Sequence, residues 1–323
     1  MTRRKSVFLI FFLSLILISC TDVARKKEIV SEQKEPSDPS IYSSLDVKTT
    51  SFSSTILMDT IKENSELPIE STYISDTKDL YDGNFDIAIV DAPMAANLYK
   101  DSEVHIKIAG ISLVNNLYLL SDGDINKFSD IFGKTIFVKD LGNDFRQKIS
   151  KKIGLLQKFI GINIIYYKDA DNLNRLIGST KSFVALAREP YISIINDDKT
   201  YKKYKINEAL SAISPDFDDS FDMISEVIIV NGDVLNSKED ALIKFLDEIS
   251  QKKDSEPIIS DRLVNTFDIS KDDALEIYKN LDKVFIEGDT MKGIFNVLYD
   301  NIERLKLTSI FGQRPADDFY YVR

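Results

Sequence analysis

Short apolar segments alternate with amphipathic helical segments through most of this chain. Residues 45–50, 69–75 and 85–91 are rich in apolar and β-branched side chains and are predicted to form strands. The alternation stops near residues 121–124 and starts again at residues 134–139. Repeated strand–helix units are typical of α/β proteins with mainly parallel sheets. Two runs of such units predict two α/β lobes.

The same pattern places the other elements. Further strands are predicted at residues 104–111, 117–120, 162–167, 183–187 and 226–230. His105, the one histidine, falls inside the first of these. The chain after residue 230 is predicted to be helical, with Ser237 and Ser270 as N-caps. A length of 323 residues agrees with two lobes, because it exceeds the usual length of a domain with one hydrophobic core.

The N-terminus has the pattern of a cleaved signal. Three basic residues, Arg3, Arg4 and Lys5, precede an apolar run over residues 7–19. As a helix this run reaches about 20 Å, short of the roughly 30 Å hydrocarbon core. Residues 1–19 are therefore predicted to be a signal peptide.

Cys20 follows the apolar run directly and is the only cysteine of the chain. The sequence Leu-Ile-Ser-Cys resembles the bacterial lipobox, which predicts that Cys20 carries a lipid anchor outside the cytoplasm. A plain secretory signal and a retained N-terminal anchor are the alternatives. Residues 20–44 are polar and contain Pro36 and Pro39, so they are predicted to form a flexible tether behind the lipidated cysteine.

Composition excludes several classes of protein. The formal net charge of −11 argues against nucleic-acid binding, which needs clustered cations. One cysteine cannot form an intrachain disulfide, and one cysteine with one histidine cannot supply a Cys/His zinc site. His105 lies inside a predicted strand, so we expect no catalytic or metal-binding role for it. Residues 216–222 are acidic but lack the glycine and terminal Glu of a calcium loop, so a solvated loop is preferred to a calcium site. We expect no enzyme activity, no cofactor and no metal.

Polar or small residues follow several predicted strands, where α/β proteins bind ligands beside helix N-termini. The predicted ligand-binding residues are Ser51, Phe52, Ser53, Ser54, Ala92, Pro93, Met94, Asn116, Tyr118, Gly142, Asn143, Asp144, Arg188, Glu189 and Tyr191. For each loop a structural role is the alternative: helix capping, core packing, a turn, or a surface ion pair.

Five segments resemble one family when they are taken in order. They are FDIAIVDAPMAANLY from residue 85, NLYLLS from 116, FSDIFGKTIFV from 128, ALAREP from 185 and GQRPADDFYY from 312. Together they resemble ABC-transporter substrate-binding proteins of the nitrate/sulfonate/thiamine-precursor type.

The resemblance implies an α/β, two-lobed type II periplasmic-binding-protein fold with a ligand cleft. Lobe one would comprise residues 45–120 and 226–323, and lobe two residues 121–225. The implied partners are a small-molecule solute, an ABC permease with its ATPase, and the membrane through the lipid anchor. The protein is expected to be a monomer.

Three functions remain open: solute delivery to an ABC importer, an enzyme on the same fold, and a surface lipoprotein that binds a partner protein. The lipid signal argues against the enzyme. Arg188 and the helix N-termini favour an anionic group on a solute, whereas Glu189 and Asp91 would repel a bare anion. A zwitterionic or heteroaromatic solute therefore fits best, with Phe52 and Tyr191 either stacking on a ring or belonging to the core.

Overall fold

The computed structural model describes residues 42–63, 65–140, 146–147, 150, 161–195, 200–213, 222–304, 308 and 314–323. The chain divides into two compact units. The first unit contains the described residues up to Ser112, together with Glu226–Lys292 and Pro315–Arg323. The second unit contains the described residues of Leu113–Ser225 and Gly293–Arg314.

Strands occur in both units. They are β1 (Leu45–Thr49), β2 (Ile69–Tyr73), β3 (Ile87–Asp91), β4 (Ile106–Val114), β5 (Tyr118–Ser121), β6 (Thr135–Lys139), β7 (Asn163–Tyr167), β8 (Phe183–Ala187), β9 (Lys202–Lys205), β10 (Ile224–Asn231) and β11 (Asp282–Ile286). β1 to β8 and β10 lie within about two residues of predicted strands, or extend them by up to three.

Helices connect and cover the strands. They are α1 (Phe52–Glu63), α2 (Lys78–Tyr81), α3 (Ala92–Asp101), α4 (Ala170–Gly178), α5 (Tyr191–Ile195), α6 (Ile206–Ile213), α7 (Gly232–Ser237), α8 (Glu239–Lys252), α9 (Asp261–Phe267), α10 (Lys271–Lys279) and α11 (Gly288–Arg304). Short 3-10 helices occur at Phe128–Ile131 and Asp317–Phe319.

The first sheet has six strands in the order β11-β4-β10-β3-β1-β2. β1 pairs parallel with β2 and β3, whereas β10 pairs antiparallel with β3. One face of the sheet packs on α1 and α8 through a core that includes Val47, Ile89, Ile228, Met58 and Phe245. Burial on both faces explains why β3 is apolar over almost its whole length.

The second sheet has five strands in the order β7-β6-β8-β5-β9. β6 pairs parallel with β7 and β8, whereas β5 pairs antiparallel with β8 and β9. Its core includes Phe137, Phe183, Leu173 and Ile192. Both sheets are therefore mixed. The prediction of α/β architecture is confirmed, but the expectation of parallel-type sheets is corrected by one antiparallel insertion in the first sheet and two antiparallel pairings in the second.

Three local predictions are wrong. The C-terminal region is not wholly helical, because β11 forms an edge strand there. Ser237 is the last residue of α7 and its hydroxyl donates to the Asp233 carbonyl at 2.7 Å, so it does not cap α8. His105 lies just before β4 rather than within a strand, and its side chain is exposed. Ser270 does cap α10, since its hydroxyl accepts from the Asp273 amide.

Within the described ranges, no helix combines the length and apolarity needed to cross a membrane. The predicted signal peptide, Cys20 and the tether up to residue 41 lie outside these ranges. So do residues 216–221 of the acidic loop.

Candidate functional site

In the first unit, polar residues gather where β1 and β3 end. Because these strands are parallel, Thr50 and Ser51 after β1 lie at the same edge as Asp91, the last residue of β3. β10 begins at this edge, and its Glu226 lies directly opposite Asp91. Asp91 is 3% exposed and Glu226 is 2% exposed. Glu226 was not predicted as a site residue, since only the strand pairing brings it beside Asp91.

The predicted serines begin α1. The Ser51 hydroxyl accepts from the Ser54 amide at 3.1 Å, and the Ser54 hydroxyl accepts from the Ser51 amide at 3.2 Å. This reciprocal arrangement caps the helix. Ser53 differs from them, because its buried hydroxyl donates to the carboxylate of Glu226. Capping thus accounts for two of the serines, while Ser53 belongs to the carboxylate cluster.

Phe52 and the segment after β3 lie at the same edge. Phe52 is buried and packs edge-to-face on Phe267, with ring centroids 5.5 Å apart. Ala92, Pro93 and Met94 form the first turn of α3, where the missing N–H of proline costs no hydrogen bond. Ala92 and Met94 are buried and Pro93 is half-buried. These residues pack at the edge where β3 ends and α3 begins.

Glu226 also affects the pKa of Tyr278, which lies on α10. Burial of the Tyr278 hydroxyl, and then the charge of Glu226, raise the pKa of this tyrosine well above its ordinary value. Tyr278 therefore stays protonated at physiological pH beside the carboxylate cluster.

In the second unit, cations gather where the parallel strands end. Lys139 is the last residue of β6 and is 6% exposed. Arg188 follows the neighbouring strand β8 and is 9% exposed. The Lys139 ammonium lies 5.7 Å from the ring centroid of Tyr191 and 6.0 Å from that of Tyr167. The sequence indicated Arg188 and Tyr191 but not Lys139, which is hidden at the end of a predicted strand.

Glu189 lies at the same edge, and Lys203 neutralises its charge. Its carboxylate pairs with Lys203 and accepts from the Ser193 hydroxyl at 2.8 Å and from the Ser193 amide at 3.2 Å. Lys203 also lies 4.3 Å from the ring centroid of Tyr118. The repulsion of an anion expected from Glu189 is therefore offset by a cation that the sequence did not indicate.

Asn116 fixes the backbone at this edge. Its side-chain oxygen accepts a hydrogen bond from the backbone amide of Glu189 at 3.1 Å. The backbone amide of Asn116 donates to the Ser225 hydroxyl at 2.9 Å. The structure thus brings Asn116, Tyr118, Glu189 and Tyr191 into one region around the end of β8. Gly142, Asn143 and Asp144 lie outside the described residues. Among the residues that the structure describes, no group of three or more His, Cys, Asp or Glu could hold a metal ion.

We compared the chain with known proteins in sequence and in structure. No protein-family model matches the chain, and no curated protein matches its sequence. Among solved structures, an ABC transporter from Parabacteroides distasonis superposes with a TM-score of 0.57 at 16% identity, covering 88% of this chain and 100% of that one.

Two sulfonate-binding proteins superpose similarly. The periplasmic aliphatic sulphonate binding protein of Escherichia coli gives a TM-score of 0.56 at 11% identity, covering 87% of this chain and 91% of that one. A periplasmic sulfonate-binding protein of a putative sulfonate ABC transporter from Methylobacillus flagellatus gives 0.55 at 10% identity, covering 87% and 92%. This confirms the fold expected from the sequence: the chain has the fold of the periplasmic binding proteins of ABC transporters.

Proposed function

We propose that this protein is an extracytoplasmic solute-binding lipoprotein that delivers a small organic solute to an ABC importer. The fold that it shares with periplasmic sulfonate-binding proteins supports a binding rather than a catalytic role. The predicted signal peptide and Cys20 support an anchored position outside the cytoplasm. Its partners would be the solute, the permease and the ATPase, and the protein would act as a monomer.

The observation that carries this proposal is the pair of buried cations at the ends of adjacent parallel strands, Lys139 on β6 and Arg188 after β8. Both side chains lie at the carboxyl ends of parallel strands, where α/β proteins bind ligands, and both can form charge-assisted hydrogen bonds with an anion. A carboxylate, sulfonate or phosphate group can accept such bonds. Glu189 does not oppose such an anion, because Lys203 pairs with it.

The aromatic surroundings indicate the rest of the solute. Tyr191 is half-buried, and the ring centroids of Tyr191 and Tyr167 lie 5.7 Å and 6.0 Å from the Lys139 ammonium. Aromatic faces of this kind pack on planar or aliphatic groups and stabilise cations. We therefore propose a small organic anion that carries further polar or heteroaromatic groups, in preference to an inorganic anion such as nitrate or sulfate.

The test is to identify what the native protein carries. Purified without denaturation and analysed by native mass spectrometry, it should show a bound mass that denaturation releases, and fragmentation should identify an organic anion. If the protein carries nothing and no organic anion stabilises it against thermal unfolding, the proposal is contradicted. That result would favour the alternative of a lipoprotein that binds a partner protein.

A further inference from the structure

Asp91 and Glu226 form a buried pair of carboxylates on one face of the first sheet. They are opposite each other on the antiparallel strands β3 and β10, and neighbouring pairs such as Ile89 and Ile228 belong to the core on that face. Residues opposite each other on neighbouring strands have Cβ atoms about 4.5–5.5 Å apart. The two carboxylates are thus neighbours in a region closed to water, where like charges repel strongly.

The strand on the other side of Glu226 runs antiparallel to β10. At one end of this pair the Asn115 amide donates to the Met223 carbonyl at 2.8 Å. At the other end the Gly232 amide donates to the His105 carbonyl at 2.7 Å. The residue numbers rise along β4 as they fall along β10, which defines the antiparallel direction.

The two bonds differ by one residue in register, because the Asn115–Met223 register continued along the strands would place Asp233, not Gly232, opposite His105. β4 therefore holds one extra residue between the two bonds. Counted from the Asn115–Met223 end, Ser112 lies opposite Glu226. A methyl group placed on Gly110 would lie 3.4 Å from Ile228 Cδ1, which agrees with the same register. Ser112 therefore lies on the face that carries Glu226 and Asp91, and these three residues line up across β4, β10 and β3.

Ser112 adds an observation that the carboxylates alone do not provide. Its side chain is 5% exposed, and its hydroxyl has no hydrogen-bond partner within the part of the chain that the structure describes. A buried hydroxyl without a partner costs about 1–3 kcal/mol and is rare in folded proteins. A hydroxyl left in this state beside two carboxylates indicates that a ligand completes its hydrogen bonding.

We propose that Asp91, Glu226 and Ser112 bind a cationic nitrogen group of the solute, with at least two N–H donors, such as a primary ammonium. The carboxylate oxygens and the hydroxyl oxygen can all accept hydrogen bonds from such a group, and the hydroxyl proton is the only donor among them. Its positive charge also reduces the repulsion between the carboxylates. The inference rests on the proposed function and deepens it by naming a cationic nitrogen group as part of the organic solute.

The test compares matched probes that differ only in the amino group: taurine with ethanesulfonate, β-alanine with propionate, and 4-(aminomethyl)benzoate with 4-methylbenzoate. Binding is measured by calorimetry on the purified native protein. In at least one pair the aminated probe should bind about tenfold to hundredfold more tightly, as expected for hydrogen bonds to charged groups. Asp91→Asn and Glu226→Gln should remove most of that preference.

The control is Glu248→Gln, which neutralises another buried carboxylate of the same unit, one paired with Lys244 and Lys252 on α8. It should leave the preference for aminated probes unchanged. Ser112→Ala tests the site without the risk of unfolding the protein. Because the hydroxyl has no partner within the described part of the chain, its removal should leave the ligand-free protein equally or more stable. The same variant should lower the preference for aminated probes.

The outcomes separate the two proposals. If both members of every pair bind equally, the cationic site is refuted while the proposed solute-binding function stands. If no probe binds at all, the inference is overturned and the proposed function is weakened with it. A Ser112→Ala variant that is less stable and keeps the preference would show that Ser112 has a structural role only.

Discussion

Arg188 and Lys139 make the binding of an anion testable one side chain at a time. Replacing Arg188 with alanine removes a charge that can form charge-assisted hydrogen bonds with the solute. We expect the affinity for the co-purified solute to fall about tenfold to hundredfold, which corresponds to about 1.5–3 kcal/mol. Calorimetry measures this directly. Arg262→Ala is the control, since Arg262 bonds to Asp59 and to the Ser71 carbonyl on the first unit. Wild-type affinity in the Arg188 variant would remove the main reason for an anionic group.

Two adjacent lysines of β9 should differ sharply in what they contribute to stability. Lys203 pairs with the buried carboxylate of Glu189, whereas Lys202 lies 3.9 Å from an exposed Asp124. Lys203→Met leaves a buried carboxylate without its cation and should lower the free energy of unfolding by about 1–3 kcal/mol. Lys202→Met should change it by less than about 0.5 kcal/mol. Urea unfolding of both variants decides, and equal effects would show that the Glu189 pair contributes nothing.

At the scale of the element, the first helix depends on its cap. Ser51→Ala removes the acceptor of the Ser54 amide and one half of the reciprocal pair. We expect the free energy of unfolding to fall by about 1 kcal/mol. Ser237→Ala is the matched comparison, because this hydroxyl bonds back to a carbonyl within α7 and should matter by only a few tenths of that amount. Chemical denaturation in which both variants lose equal stability would contradict the capping role of Ser51.

Elements with a strong local signal could be predicted, and those without one could not. β3 and β8 are continuous apolar runs, and Ser270 stands at a helix start, so each was found from the sequence. β9 has the sequence Lys-Lys-Tyr-Lys and forms the edge of its sheet, where charged side chains are tolerated and often favoured. Its strand conformation is due to pairing with β5, which a local pattern does not contain.

For the whole molecule, the same limit applies to the candidate site. The loops that contain Arg188 and Ser53 could be located from the sequence, because they follow apolar strands or begin helices; their binding role stays a prediction. The partner of Ser53 is Glu226, 173 residues away along the chain, and it reaches this place only because β10 inserts antiparallel beside β3. Lys139 carried no signal that distinguished it from an ordinary strand-terminal lysine. The positions of the loops can thus be read from the local sequence. The set of residues that meet at the site depends on the strand pairing.

The attachment of the whole molecule to a membrane depends on Cys20. If this cysteine is lipidated, Cys20→Ala should abolish partitioning into the detergent phase of a Triton X-114 separation and leave the chain soluble. The physical reason is that the several acyl chains on a lipidated cysteine bury enough methylene groups for stable anchoring, whereas a cleaved or unmodified N-terminus buries none. Ser19→Ala is the control, because it keeps a small residue before the cysteine and should leave both processing and partitioning intact. The intact mass of the detergent-phase protein should exceed that of the polypeptide from residue 20 by the mass of the lipid. Unchanged membrane association of the Cys20→Ala chain would show instead that the apolar run of residues 7–19 is retained as the anchor.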